Sequence, residues 1–184
     1  MRRLAVALVV PLLLGLTAGT ALAASAHLKG RTPISFSDGG LTLTATVSYA
    51  GLGNFDTEQS LTATGNTTST CTNQGGTQAP GQNPAPTTVS GGTAVPADDI
   101  KNGNVTITTV TNPPVTPIPG APGCPNPNWT EAINDIAFTS ATITLRQDQD
   151  ANGTFETLVL TVNCTFSSPT SNGTVPGSNF SCTS

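Results

Sequence analysis

The most specific chemical signal in this sequence lies in one nine-residue run. Asp148, Asp150, Asn152 and Glu156 fall in Asp148-Gln149-Asp150-Ala151-Asn152-Gly153 and its continuation, the D-x-D-x-N-G spacing of a calcium loop. A hard cation needs several oxygens converging, and alternate residues of a tight turn supply them. The helix-flanked form of that loop asks for Glu at the twelfth position, where this chain has Val159. The flanks here read as strands, and a hairpin turn on Asn152-Gly153 accounts for the same residues without a metal. The expectation is no cofactor, with calcium at these four residues as the alternative.

Other chemistry is thin. Cys71, Cys124, Cys164 and Cys182 match no zinc spacing and contain no CxxC pair, so an even count in an exported chain reads as two disulfides. A register that sets Cys164 opposite Cys182 also sets Phe166 opposite Phe180, and that favours Cys164–Cys182 with Cys71–Cys124. Two other connectivities stay open. Histidine-dependent nucleophilic catalysis has only His27 to serve as base. Asp98, Asp99 and Asp135 are carboxylates without an assignable partner, and such acids are usually solvated. Trp129, after a proline-rich stretch, is the candidate for glycan binding. A plug over the nearby disulfide is the favoured role for it. The reading is therefore non-enzymatic.

The elements that must position these residues begin after a leader. Arg2 and Arg3, an apolar run from Leu4 to Leu16 and small residues ending at Ala24-Ser25-Ala26 fit a signal peptide over 1–26, with a second cleavage option after Ala23. The run is shorter than the ~20 apolar residues that span a bilayer. The expected product is a secreted, extracellular chain, 27–184, forming a single domain without a membrane span. Beyond residue 26, Lys29, Arg31, Lys101 and Arg146 face ten acidic residues, a net charge of −6. That balance argues against nucleic acid, whose binding rests on clustered cations. The expected partner is an extracellular protein or a glycan.

Threonine occurs 31 times in that region, and Gly and Pro punctuate it, so the composition reads as all-β. Leu41, Leu43, Ala45, Val47 and Tyr49 alternate with Thr42, Thr44, Thr46 and Ser48, which gives a strand with one core face. A second strand is expected over 59–71 and another around Val105 and Ile107, after the Asn102-Gly103 turn. Residues 73–92 read as a long loop, and the seven prolines in 112–127 make a second surface loop, preferred to an interdomain linker. A strand from Ile133 to Arg146 changes apolar parity near Thr139 and Ser140, which predicts a bulge or a strand crossing between sheets. Its return strand is expected from Phe155 to Phe166, with Leu158, Leu160, Val162, Cys164 and Phe166 facing one way. About seven strands in an antiparallel β-sandwich of immunoglobulin-like topology result. Threonine arrays at 42–46, 62–64, 106–108 and 142–144 would suit an ice-binding face only if their strands aligned; otherwise they are an ordinary solvated surface. Sequons occur at Asn66, Asn104, Asn128, Asn152, Asn163, Asn172 and Asn179.

The segments Ser25-Ala26-His27, Ala50-Gly51-Leu52-Gly53-Asn54, Cys71-x-Asn73-x-Gly75-Gly76 and Cys124-Pro125 resemble those of a group of small secreted bacterial β-sandwich proteins of unknown function. The resemblance implies secretion and a compact β domain, and assigns no site residues. A histidine at the mature N-terminus is also similar to the copper ligand of lytic polysaccharide monooxygenases. Those enzymes need a second histidine that this chain lacks. The function expected is extracellular binding or a surface-associated structural role. The alternatives are a calcium-dependent adhesion or glycan-binding module, and an unrecognised hydrolase.

Overall fold

Period-2 apolar patterning produces eleven strands in a computed structural model that describes residues 26–80, 86–116, 124 and 126–184. Most of the expected leader lies outside these residues. The strands are β1 (His27–Leu28), β2 (Ile34–Asp38), β3 (Leu43–Ala50), β4 (Asp56–Thr72), β5 (Gln78–Pro80), β6 (Thr87–Val95), β7 (Val105–Val110), β8 (Thr130–Asp148), β9 (Thr157–Phe166), β10 (Gly173–Val175) and β11 (Phe180–Thr183). Every pairing is antiparallel.

The first sheet runs β10-β2-β3-β7. β1 extends the β2 side of β3 after an interruption at residues 29–33. The second sheet runs β11-β9-β8-β4, with β5 and β6 sharing the far side of β4. Seven strands therefore form the frame, β2-β3-β7 against β6-β4-β8-β9. This is immunoglobulin-like order, with the strand after the third joining the second sheet as it does in variable-type domains. No helix long and apolar enough to cross a membrane occurs among the described residues.

The alternation in β3 seals Leu43, Ala45, Val47 and Tyr49 completely in the interior. From the other sheet Leu61, Ala63, Phe138, Ile143, Leu145 and Val162 meet them, forming one shared core. Phe36, Phe166 and Phe180 join the sheets edge-on, with ring centres 5.0–6.3 Å apart.

β8 bulges at Thr139, where its register against β4 shifts, and this is the parity change seen in the sequence. A second shift falls at Asn134. Both extra residues are tied back: Thr139 Oγ1 donates to the Thr64 carbonyl at 3.2 Å, and Asn134 Nδ2 donates to Thr70 Oγ1 at 3.3 Å.

Three expectations need correction. Residues 73–92 are not one long loop, because β5 and most of β6 lie there. The return strand starts at Thr157, not Phe155. Leu158 does not share the inward face: the β8–β9 register shifts beside Val159, and Leu158 is 51% exposed.

Both disulfides pair as favoured, Cys71–Cys124 and Cys164–Cys182. Cys164 and Cys182 are direct cross-strand partners, as are Phe166 and Phe180. Two such bridges mark an oxidising, extracellular type of environment.

Candidate functional site

The β8–β9 connection closes on Asp148. Its Oδ1 accepts from the Asn152 N–H at 3.1 Å and its Oδ2 from the Gly153 N–H at 2.8 Å. Gly153 permits this with φ of 85°, and Ala151 is also left-handed at φ 58°. Burial by itself would raise the Asp148 carboxyl, but donation from Gly153 and Asn152 outweighs it and holds the group below the ordinary aspartate range. Asp150 Oδ2 accepts from Asn152 Nδ2 at 2.9 Å. Asn152 Oδ1 accepts from the Thr154 N–H at 2.8 Å and from the Thr154 hydroxyl. That hydroxyl also reaches Glu156 Oε1 at 2.8 Å. All four sequence-selected residues thus share one turn, in which Asp148, Asp150 and Asn152 each accept from the turn's own donors. Among the described residues, no group of three or more His, Cys, Asp or Glu is arranged to hold a metal.

The other candidates are scattered. Trp129 is half-buried, its backbone N–H donating to the Asn126 carbonyl at 3.1 Å. Asp98 and Asp99 are exposed in a short 3-10 turn after β6. Asp135 lies in β8 near Gly40 and Asn172, with its Oδ1 buried and without a hydrogen bond. His27 is exposed in β1, opposite Ala50. A buried carboxylate that sequence reasoning missed is Asp38, which accepts from the Gly40 N–H at 2.8 Å and from the Thr170 hydroxyl. Thr170 Oγ1 in turn accepts from the Phe138 N–H at 2.8 Å, so this network fastens the 167–172 segment to both sheets.

The largest organised polar feature is a surface. Cross-strand partners on the outer face of the second sheet form in-register rows. One row is Thr88, Thr64, Ser140, Thr165 and Ser181. The next is Ser90, Thr62, Thr142, Asn163 and Thr183. A third holds Ser60, Thr144 and Thr161. All of these residues are exposed or half-exposed. Antiparallel geometry spaces such side chains about 4.8 Å across strands and about 6.8 Å along them. Neighbours hydrogen-bond within the rows, Thr64 with Thr88 at 3.0 Å and Thr142 with Asn163 at 3.1 Å. No ionisable group interrupts the three rows, and Glu58 beside Arg146 bounds them at one end. The first sheet carries a smaller version, in which Thr46 bonds Thr108 and Ser48 bonds Thr106, both at 2.9 Å.

The sequence signal for this surface was the threonine alternation. The alignment came only with strand register, and two of the five residues in each of the first two rows come from β6 and β11, which carry little apolar pattern. No family model, curated protein or solved structure matches the chain.

Proposed function

We propose that this protein is exported through its N-terminal leader and acts without catalysis, as a binding or surface-associated structural module outside the cell. The reading goes further to an uncharged, hydroxyl-rich polysaccharide laid on the outer face of the second sheet. The observation that carries it is the set of three uninterrupted hydroxyl rows across that sheet.

Protein interfaces draw their affinity from buried Trp, Tyr and Arg anchors, and this face offers hydroxyls and amides instead. Acidic polymers would meet no cation within the rows. Sheet twist rotates adjacent strands by roughly 20–25°, so the face suits a flexible or twisted chain better than a planar lattice such as ice. The test is depletion of the purified protein from solution by an insoluble neutral glucan, and by the same glucan after carboxylation. Saturable depletion by the neutral polymer alone is expected. Equal retention on both, or on neither, refutes the reading.

A second reading, a calcium-dependent adhesion module, draws on the preformed 148–156 turn, in which Gly153 and Asn152 already orient the Asp148 carboxylate. Anything bound selectively to the folded state raises its melting temperature. A rise in excess calcium over EDTA, lost on replacing Asp148 and Asp150 with Asn, would establish it, and an unchanged melt retires it.

A further inference from the structure

We propose that the open side of the sandwich, between β2 and β11, is a binding site for a single-chain anionic amphiphile of the fatty carboxylate type. β10 pairs with β2 only over Phe36–Asp38, so it leaves the start of β2 uncovered on that side. β11 is the outermost strand of the facing sheet, and the Pro176-Gly177 turn connects the two edges. Between them lies a cavity of about 540 Å³. That is within the range of roughly 300–1,000 Å³ typical of small-molecule sites.

Its wall is mainly apolar: Leu28, Ile34, Val175, Phe180 and Cys182 line it, with Thr32, Ser35 and Thr174 among them. Ile34 and Val175 belong to the buried core, and Leu28, Phe180 and Cys182 pack against it. The cavity is therefore an inlet of the hydrophobic interior, suited to an alkyl chain.

Charge selects the head group. Among the described residues, Arg31 is the only ionisable side chain lining the cavity, and it is exposed, which places a cation at the mouth. The other Lys and Arg residues of 27–184 lie elsewhere. Arg146 donates to the Glu156 carbonyl at 3.1 Å, Lys101 donates to the Asp98 carbonyl, and Lys29 lines a separate recess with Ser48 and Asn104. A guanidinium suits a carboxylate through paired N–H donors. An added peptide strand is the poorer occupant, because Pro33 has no N–H and its carbonyl already accepts from Ser48.

The test is isothermal titration of the disulfide-intact protein with dodecanoate and with dodecanol, each below its self-association concentration. The carboxylate should bind at least about tenfold tighter than the alcohol, the scale of one charge-assisted hydrogen bond. Arg31→Gln, an exposed change, should erase that difference while leaving alcohol binding intact. Gly177→Phe should abolish both, since a side chain there starts into open space beside the cavity. Co-sedimentation with anionic phospholipid vesicles separates a pocket from a membrane surface. Equal affinity for the two ligands, an unaffected Arg31→Gln variant, or binding to vesicles without binding to monomers would each overturn the proposal.

Discussion

Tyr49 is sealed in the core, and its hydroxyl donates to Gln59 Oε1 at 2.7 Å while Gln59 Nε2 donates to Thr109 Oγ1 at 2.8 Å. This chain links the two sheets through polar atoms, and it tolerates burial because each donor finds an acceptor. Tyr49→Phe should cost about 1–3 kcal/mol in a denaturant melt, since it strips Gln59 Oε1 of its donor. Burial also pushes the Tyr49 phenol well above its ordinary range. A group whose pKa is raised on folding contributes stability below the unfolded value and loses it as pH climbs. Wild-type stability should therefore fall above about pH 10, and the Phe variant should fall less steeply. Asp148 has the opposite sign. Its folded pKa is depressed, so its contribution is present above the ordinary aspartate value of about 3.9 and disappears as pH drops through the lower folded value. Melting temperatures of wild type and Asp148→Asn should differ at neutral pH and converge in acid. The inward parity of Tyr49 was legible from its neighbours, whereas Gln59 and Asp38 were not, because no local pattern marks a buried polar residue whose partners lie on distant strands.

β6 was hidden in the sequence for a reason visible in its packing. Its inward positions include Thr87, Gly91 and Thr93, with Val89 and Val95 as the apolar ones, so the period-2 signal is diluted. Gly91 sits where β6 of one sheet runs beside β7 of the other, and a Cβ there would lie 2.0 Å from the Val110 carbonyl oxygen. The Asn112 N–H donates to the Ser90 carbonyl at 2.9 Å across the same seam. Gly91→Ala should destabilise by about 1–3 kcal/mol as the seam is forced apart, read by chemical denaturation. The β8 bulge was legible because apolar residues on either side of Thr139 change parity. The second shift at Asn134 was not, since only Ile133 lies before it. The bridges act at this scale too. Cys71–Cys124 closes 53 residues and Cys164–Cys182 closes 18. Chain-entropy arithmetic assigns them about 4 and about 3 kcal/mol. The paired Cys71→Ala and Cys124→Ala change should therefore lower stability more than the paired Cys164→Ala and Cys182→Ala change.

At the scale of the molecule, alternation in β3, β4, β8 and β9 was enough to read a two-sheet sandwich, and Cys164 opposite Cys182 fixed one edge of it. The sequence could not show which hydroxyl faces align. Register follows from pairing among strands as distant as β4 and β9, and each bulge resets it. The outer surface that results is neutral on a chain whose net charge over residues 27–184 is −6, so the acids are held off the rows. The most direct test of the proposed function puts a charge into that face. Thr142→Glu on the second sheet and Thr46→Glu on the first are both surface changes, and binding isotherms on an insoluble neutral glucan compare them. Thr142→Glu should lose most of its retention while Thr46→Glu binds like wild type. Unchanged binding by Thr142→Glu would contradict the proposed function.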